Sequence, residues 1–218
     1  FGDVQCLDCS ATSGSPIMIA AAVSIGGVDF ALLPGGVISG RITDSATGSG
    51  VPNAWVDVFS VSGLRALSSY ATDANGDYTL AGALPAGTYY VRTSNVGGYI
   101  NEAYDDVKCL ACAATSGTPV TVIAGSTAGG VDFALDPGGR ISGRVTDAAT
   151  DQPLLNQSVN IYTASGWYVT WGNTDSSGNY ISNGGLPTGQ YYARTTNGQG
   201  RVDEVYNDLP CLNCSVTS

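Results

Sequence analysis

Gly26-Gly27-Val28-Asp29-Phe30-Ala31-Leu32 recurs unchanged as Gly129-Gly130-Val131-Asp132-Phe133-Ala134-Leu135, and Ile38-Ser39-Gly40-Arg41 recurs as Ile141-Ser142-Gly143-Arg144, each 103 residues later. Working outward, Thr72-Asp73 matches Thr174-Asp175. Leu84-Pro85-Ala86-Gly87-Thr88-Tyr89-Tyr90 matches Leu186-Pro187-Thr188-Gly189-Gln190-Tyr191-Tyr192, now 102 residues apart. Self-similarity at a fixed period marks an array of like units, and it outranks any local reading of the chain. A third copy of one segment lies at the extremities: Asp3-Val4-Gln5-Cys6-Leu7-Asp8-Cys9 resembles both Asp106 to Cys112 and Asp208 to Cys214. The sequence is thus expected to be about two periods of an array, either a processed product or a window on something longer.

Composition removes several classes of function. The 218 residues carry 8 basic and 18 acidic side chains, a formal charge of -10 and no histidine. So few positive groups cannot neutralise a phosphate backbone or dock on anionic lipid, so neither nucleic acid nor a membrane surface is expected as a partner. Without histidine the commonest general base and metal ligand are missing, and no Ser-His-Asp set can exist. The longest apolar run, residues 17–23, is about a third of the roughly 20 residues that cross a bilayer as a helix, so no membrane span is expected. Hydrophobic residues at 43% predict a folded chain.

Alternation with period two dominates, and no stretch of 11 or more residues shows the spacing of a helix face. Val56 to Phe59, Val120 to Val122 and Val159 to Tyr162 read as short strands. Asp73-Ala74-Asn75-Gly76-Asp77-Tyr78 and Asp175-Ser176-Ser177-Gly178-Asn179-Tyr180 read as tight hairpins with glycine at a positive φ. Pro34-Gly35-Gly36 and Pro137-Gly138-Gly139 read as turns between units. The expected class is all-β.

Four blocks in order, Ile38 to Asp44, Val56 to Val58, Thr72 to Tyr78 and Leu84 to Val91, resemble the carboxypeptidase regulatory-like domain, and the same signposts return from Ile141. That family is related to the B-type repeats of collagen adhesins. The resemblance implies tandem immunoglobulin-like, transthyretin-like antiparallel sandwiches in an accessory or structural role, with no chemistry of their own and no cofactor. The family's frame also implies the boundaries. Residues 35–135 would be one complete sandwich, 1–34 the closing strands of a preceding repeat, and 136–218 a second sandwich lacking its closing strands. A sandwich short of strands exposes unpaired amides, carbonyls and an apolar groove, and so invites another chain. Ile17, Ile19, Val28, Phe30 and Leu32 are the expected donor residues, by strand addition or by continuation of a covalent array.

Three Cys-x-x-Cys pairs, Cys6/Cys9, Cys109/Cys112 and Cys211/Cys214, share one place in the repeat and suggest disulfides in an oxidising compartment. Bonding within each pair, bonding between copies and a zinc site shared by distant pairs are all compatible with the spacing. Asp73, Asn75 and Asp77 superficially resemble a calcium loop, but glycine falls at the fourth position instead of the sixth, which favours a turn. Glu102, Asp105 and Asp106, echoed by Glu204 and Asp208, form an acidic cluster that a solvated loop explains. The single lysine, Lys108, has no counterpart in the second copy, so a general Lys–Asn cross-link is not expected. Trp55, Trp167 and Trp171 do not match between copies, which favours packing over a sugar platform.

These features point to a non-enzymatic structural segment of an extracellular or cell-surface filament whose partner is itself. The alternative is an adhesin or accessory module that binds a glycan, a host surface or calcium.

Overall fold

The computed structural model describes residues 10–94, 97–196, 200–207, 209–211 and 214–217. The Cys6/Cys9 pair lies outside the described residues. After a single 3-10 turn at Ala11–Ser13, residues 14–35 contain no strand.

The first module contains β1 (Gly36–Asp44), β2 (Trp55–Ser60), β3 (Arg65–Ala71), β4 (Asp77–Leu84) and β5 (Gly87–Ser94). The short strands β6 (Glu102–Ala103), β7 (Val107–Lys108), β8 (Val120–Val122), β9 (Thr127–Ala128) and β10 (Phe133–Leu135) follow. One sheet has the order β10-β1-β4, with β9 also on β1; the other has the order β3-β2-β5-β6-β7, with β8 on β5. The second module contains β11 (Ser142–Arg144), β12 (Ser158–Thr163), β13 (Tyr168–Asn173), β14 (Asn179–Ile181), β15 (Tyr191–Thr196), β16 (Asp203–Val205) and β17 (Leu209–Cys211). Its sheets are β11-β14 and β13-β12-β15-β16-β17. Strands β11 to β17 therefore reproduce β1 to β7 in order and pairing. Among the described residues nothing in the second module takes the places of β8, β9 and β10.

The chain is nearly all-β, as the alternation predicts, but the pairing is not wholly antiparallel. β10 runs parallel to β1, with Ile42 opposite Phe133 and Asp44 opposite Leu135, and β9 also runs parallel to β1. The returning segment crosses from the second sheet, where β8 pairs antiparallel with β5, to the first. A crossover between sheets leaves the direction of the next strand free, and alternation carries no information about it.

The repeated motifs have local reasons. Asp73 Oδ1 accepts from the amides of Asn75 and Asp77 at 2.8 and 2.9 Å, and Asp175 does the same for Ser177 and Asn179. Gly76 closes that turn at φ 84°, and a Cβ there would meet the Ile42 carbonyl at 2.2 Å. The repeated threonine is buried and satisfies an inter-strand loop: Thr72 Oγ1 accepts from Ala54 N at 2.9 Å and donates to the Val51 carbonyl at 2.6 Å. Thr174 serves Gln157 and Leu154 likewise. In the Leu-Pro-x-Gly-x-Tyr block the first tyrosine donates back to the proline carbonyl, Tyr89 to Pro85 at 2.9 Å and Tyr191 to Pro187 at 2.8 Å.

The cores differ in size. Among the described residues sixteen buried hydrophobic side chains form one cluster in the first module, with Val120, Val122, Val131, Phe133 and Leu135 from the returning segment among them. Among the described residues the second cluster holds three, Val159, Ile161 and Leu186. With about 25 cal/mol gained per Å² of apolar surface removed from water, the returning segment is a major part of what closes a module.

The modules meet through backbone. Gly138 N donates to Gly98 O and Gly185 N to Tyr99 O, both at 2.9 Å, and Gly98 N donates to Asn183 O at 3.3 Å. Pro137-Gly138-Gly139 is accordingly part of a paired junction: Tyr99 bridges Pro137 and Leu186 bridges Gly139. Glycine is needed at Gly138 because a Cβ would lie 2.6 Å from the Leu186 nitrogen.

Candidate assembly surfaces

In the first module the returning segment is held by specific polar contacts as well as apolar burial. Arg41 N donates to Asp132 Oδ1 at 2.8 Å, Val131 N to Ser39 O at 3.1 Å and Ser45 N to Leu135 O at 3.0 Å. The buried Tyr78 hydroxyl donates to the Val131 carbonyl. Tyr104 packs edge-on against Phe133 with ring centroids 6.0 Å apart, and its hydroxyl reaches Gly130 O at 3.4 Å. Desolvation, with help from the Asp132 charge, pushes the Tyr78 phenol well above its ordinary value, so it stays a donor.

The same place in the second module is an open groove of about 380 Å³, lined by Val145, Val159, Tyr180, Ala193, Val205 and Tyr206 among others. Tyr206, the counterpart of Tyr104, is 80% exposed. Neither its hydroxyl nor that of Tyr180 makes a hydrogen bond among the described residues. The rim is otherwise conserved in kind. Asp147 accepts from Arg201 at 2.9 Å where Asp44 accepts from Tyr99 at 2.8 Å, and the Arg201 contact holds the Asp147 carboxyl down at about 2.

The expected donor residues fall at the places of buried ones. Ile17, Ile19, Val28, Phe30 and Leu32 stand 103 residues before Val120, Val122, Val131, Phe133 and Leu135. Phe30 is 66% exposed against 2% for Phe133, and Leu32 90% against 0% for Leu135. Ile17 and Ile19 are exposed and Val28 is half-buried. The backbone is already set in part: Gly27 has φ 74° where Gly130 has 73°, and Ala22 has φ 62° where Gly125 has 71°.

A second concavity of about 540 Å³ lies between the modules, lined by Trp55, Asp57, Arg65 and Arg92 from one side and Tyr168 and Thr170 from the other. Asp57 is fully buried and paired with Arg65 at 3.2 Å. Arg92 stacks over Phe59 at 4.9 Å, and burial lowers the proton affinity of its guanidinium. Glu102 on β6 is buried, one carboxylate oxygen has no hydrogen-bond partner among the described residues, and desolvation beside Asp106 and Asp136 raises its pKa to about 7. It is a titrating group that the repeat alone does not reveal, since its counterpart Glu204 is exposed.

The described cysteines bond within their pairs, Cys109 to Cys112 and Cys211 to Cys214. Of the three tryptophans, Trp171 is half-buried, Trp55 opens onto the inter-module concavity and Trp167 projects from the β12–β13 hairpin, 69% exposed; packing within the chain does not account for Trp167. Lys108 is exposed and pairs with Asp136. Among the described residues no group of three or more acidic or cysteine side chains is arranged to hold a metal ion, and no helix is long and apolar enough to cross a membrane.

A search of curated proteins finds no significant match. Among solved structures, the Bacillus anthracis TIE protein is 22% identical with a TM-score of 0.34, over 78% of this chain and 30% of that one. A streptococcal ancillary pilin is 15% identical, TM-score 0.36, over 78% of this chain and 58% of that one. The shaft pilin SpaA from Lactobacillus rhamnosus GG is 14% identical, TM-score 0.31, over 83% and 95%. The chain thus spans about a third of the first and under two thirds of the second, and superpositions this loose establish no shared role. The family match is local: residues 37–136, the stretch from β1 through β10, match the model of the carboxypeptidase regulatory-like domain.

Proposed function

We propose that the chain is structural material of an extracellular or cell-surface fibre built from β-sandwich repeats, with other copies of itself as its partner and no catalysis of its own. The observation that carries this reading is the junction. Two like modules are joined by three short residues and a set of direct backbone hydrogen bonds, so that one module's end is built into the next. Such a joint resists bending more than a free linker does, which suits a load-bearing rod. Disulfides at the same loop of both described pairs fit an oxidising exterior. With 8 Lys and Arg in 218 residues, the chain offers few sites to trypsin-like proteases.

The test is negative-stain electron microscopy of native material labelled with antibody to this chain. Filaments decorated along their length, with an axial repeat of one or two sandwich lengths, are expected. Label confined to discrete particles would refute the reading.

A second reading, a glycan-binding module, is favoured by the exposed faces of Trp167 and Tyr168 on one hairpin. Reproducible saccharide binding on an array, lost in Trp167→Ala, would support it over the first.

A further inference from the structure

We propose that the concavity between the modules is a binding site for a sugar ring that carries a carboxylate, the kind of unit that makes an extracellular polysaccharide acidic. This goes beyond the fibre reading and does not depend on it.

The two copies separate what the fold needs from what the concavity adds. Arg92 over Phe59 at 4.9 Å returns in the second module as Arg194 over Tyr162 at 5.2 Å, so a guanidinium laid on an aromatic ring belongs to the repeat. Three other residues of the wall do not return: Trp55, Asp57 and Arg65 correspond to Ser158, Asn160 and Tyr168. A fully buried carboxylate held by a half-exposed guanidinium carries a desolvation cost that a neutral asparagine avoids. Strand β12 forms with that asparagine, so the fold does not require the charge. All three departures line one cavity.

The wall selects the ligand. Its volume of about 540 Å³ falls within the roughly 300–1,000 Å³ of small-molecule sites. Arg65 and Arg92 face it against the single carboxylate of Asp57, a local excess of positive charge in a chain of net charge -10, which favours an anion. Among the described residues the Arg92 guanidinium makes one hydrogen bond, to the Cys112 carbonyl at 3.5 Å, and most of its donors remain for a carboxylate. Trp55 and Tyr168, 42% and 48% exposed, bring flat aromatic faces from opposite modules, suited to the C–H face of a pyranose. Asn101 lines the same wall, and its side-chain oxygen has no hydrogen-bond partner among the described residues, an acceptor that a ring hydroxyl would satisfy. A bare inorganic anion would leave the aromatic faces unused, and a neutral sugar would leave the guanidiniums unused. A sugar carboxylate engages both.

Titration of the full chain with methyl β-D-glucuronide, followed by amide nuclear magnetic resonance, tests the site. Saturable shifts are expected at Trp55, Arg92, Asn101 and Tyr168, and the neutral twin methyl β-D-glucoside should bind at least about tenfold more weakly. Giving the first module the residues of the second, Trp55→Ser with Asp57→Asn and Arg65→Tyr, should keep the melting profile and weaken glucuronide binding by at least about tenfold. Tyr168→Ala, at a half-exposed side chain of the other module, keeps the test decisive if that variant misfolds, and should weaken binding by about fivefold. Trp167 does not line the cavity, so Trp167→Ala should leave binding unchanged. No saturable shift, equal binding of the glucoside, full binding by the folded triple variant, or a loss in Trp167→Ala with binding kept in Tyr168→Ala would each overturn the proposal. Antibody-labelled native fibres without glucuronide binding would retire the site and leave the fibre reading standing; binding without labelled fibres would do the reverse.

Discussion

The Tyr78 hydroxyl donates to the carbonyl of Val131, 53 residues further on. Tyr180, at the same place in the second module, makes no such bond among the described residues. In the first module the repeated tyrosine is thus a clasp on the returning segment. Tyr78→Phe leaves a buried carbonyl unpaired and should lower the stability of the first module by about 1–3 kcal/mol in denaturant titration. Tyr180→Phe in the unassembled chain should change stability by less than about 0.5 kcal/mol.

Glu102 gives the first module a pH dependence. Its carboxyl titrates near 7 in the folded chain, through desolvation and the charges of Asp106 and Asp136, against an ordinary value of 4.5 when unfolded. Between those values the folded state holds the extra proton, so stability is full below pH 4.5 and declines as pH rises through 7. The loss is on the order of 2–3 kcal/mol. Glu102→Gln should flatten this slope in melts taken from pH 5 to pH 8; an unchanged slope would assign the dependence elsewhere.

Much of this was legible in the residues. The hairpins at Asp73 and Asp175 are written in their Asx turns and glycines, and the repeat period alone aligned Phe30 with Phe133. The parallel seating of β10 on β1 was not legible, because alternation reports which face a side chain takes and says nothing of strand direction. The burial of Glu102 was equally hidden, since its counterpart Glu204 lies in solvent, and the charge of Asp136 that helps raise its pKa is 34 residues away in sequence and is brought near only by the fold. Trp167 misled for the opposite reason, because hydrophobic size predicts burial only where a hairpin turns inward.

The junction depends on close backbone approach. Gly138→Ala would set a methyl group 2.6 Å from the Leu186 nitrogen and 2.7 Å from the Gly185 carbonyl carbon, and neither can retreat without breaking the Gly139–Leu186 bridge. The modules should stay folded while the joint loosens. Hydrogen exchange at the amides of Gly98, Gly139 and Leu186 should accelerate by about tenfold or more, with core amides of β2 and β5 unchanged. Small-angle scattering should show a broader distribution of lengths.

The disulfides close loops of four residues, too small to restrain much of the unfolded chain. Cys109 is buried, its amide donates to the Asn101 carbonyl at 2.7 Å, and the Cys112 carbonyl accepts from Arg92 at 3.5 Å, so the bond fixes the loop that covers β5 and β6. Loop-closure entropy for so short a ring is worth about 2 kcal/mol. Cys109→Ala with Cys112→Ala should therefore lower the stability of the first module by about that amount without unfolding it. If reduction instead dissolved assembled fibres into single chains, the cysteines would be linking copies rather than locking turns, and the joint would owe its strength to covalent bonds in place of strand pairing.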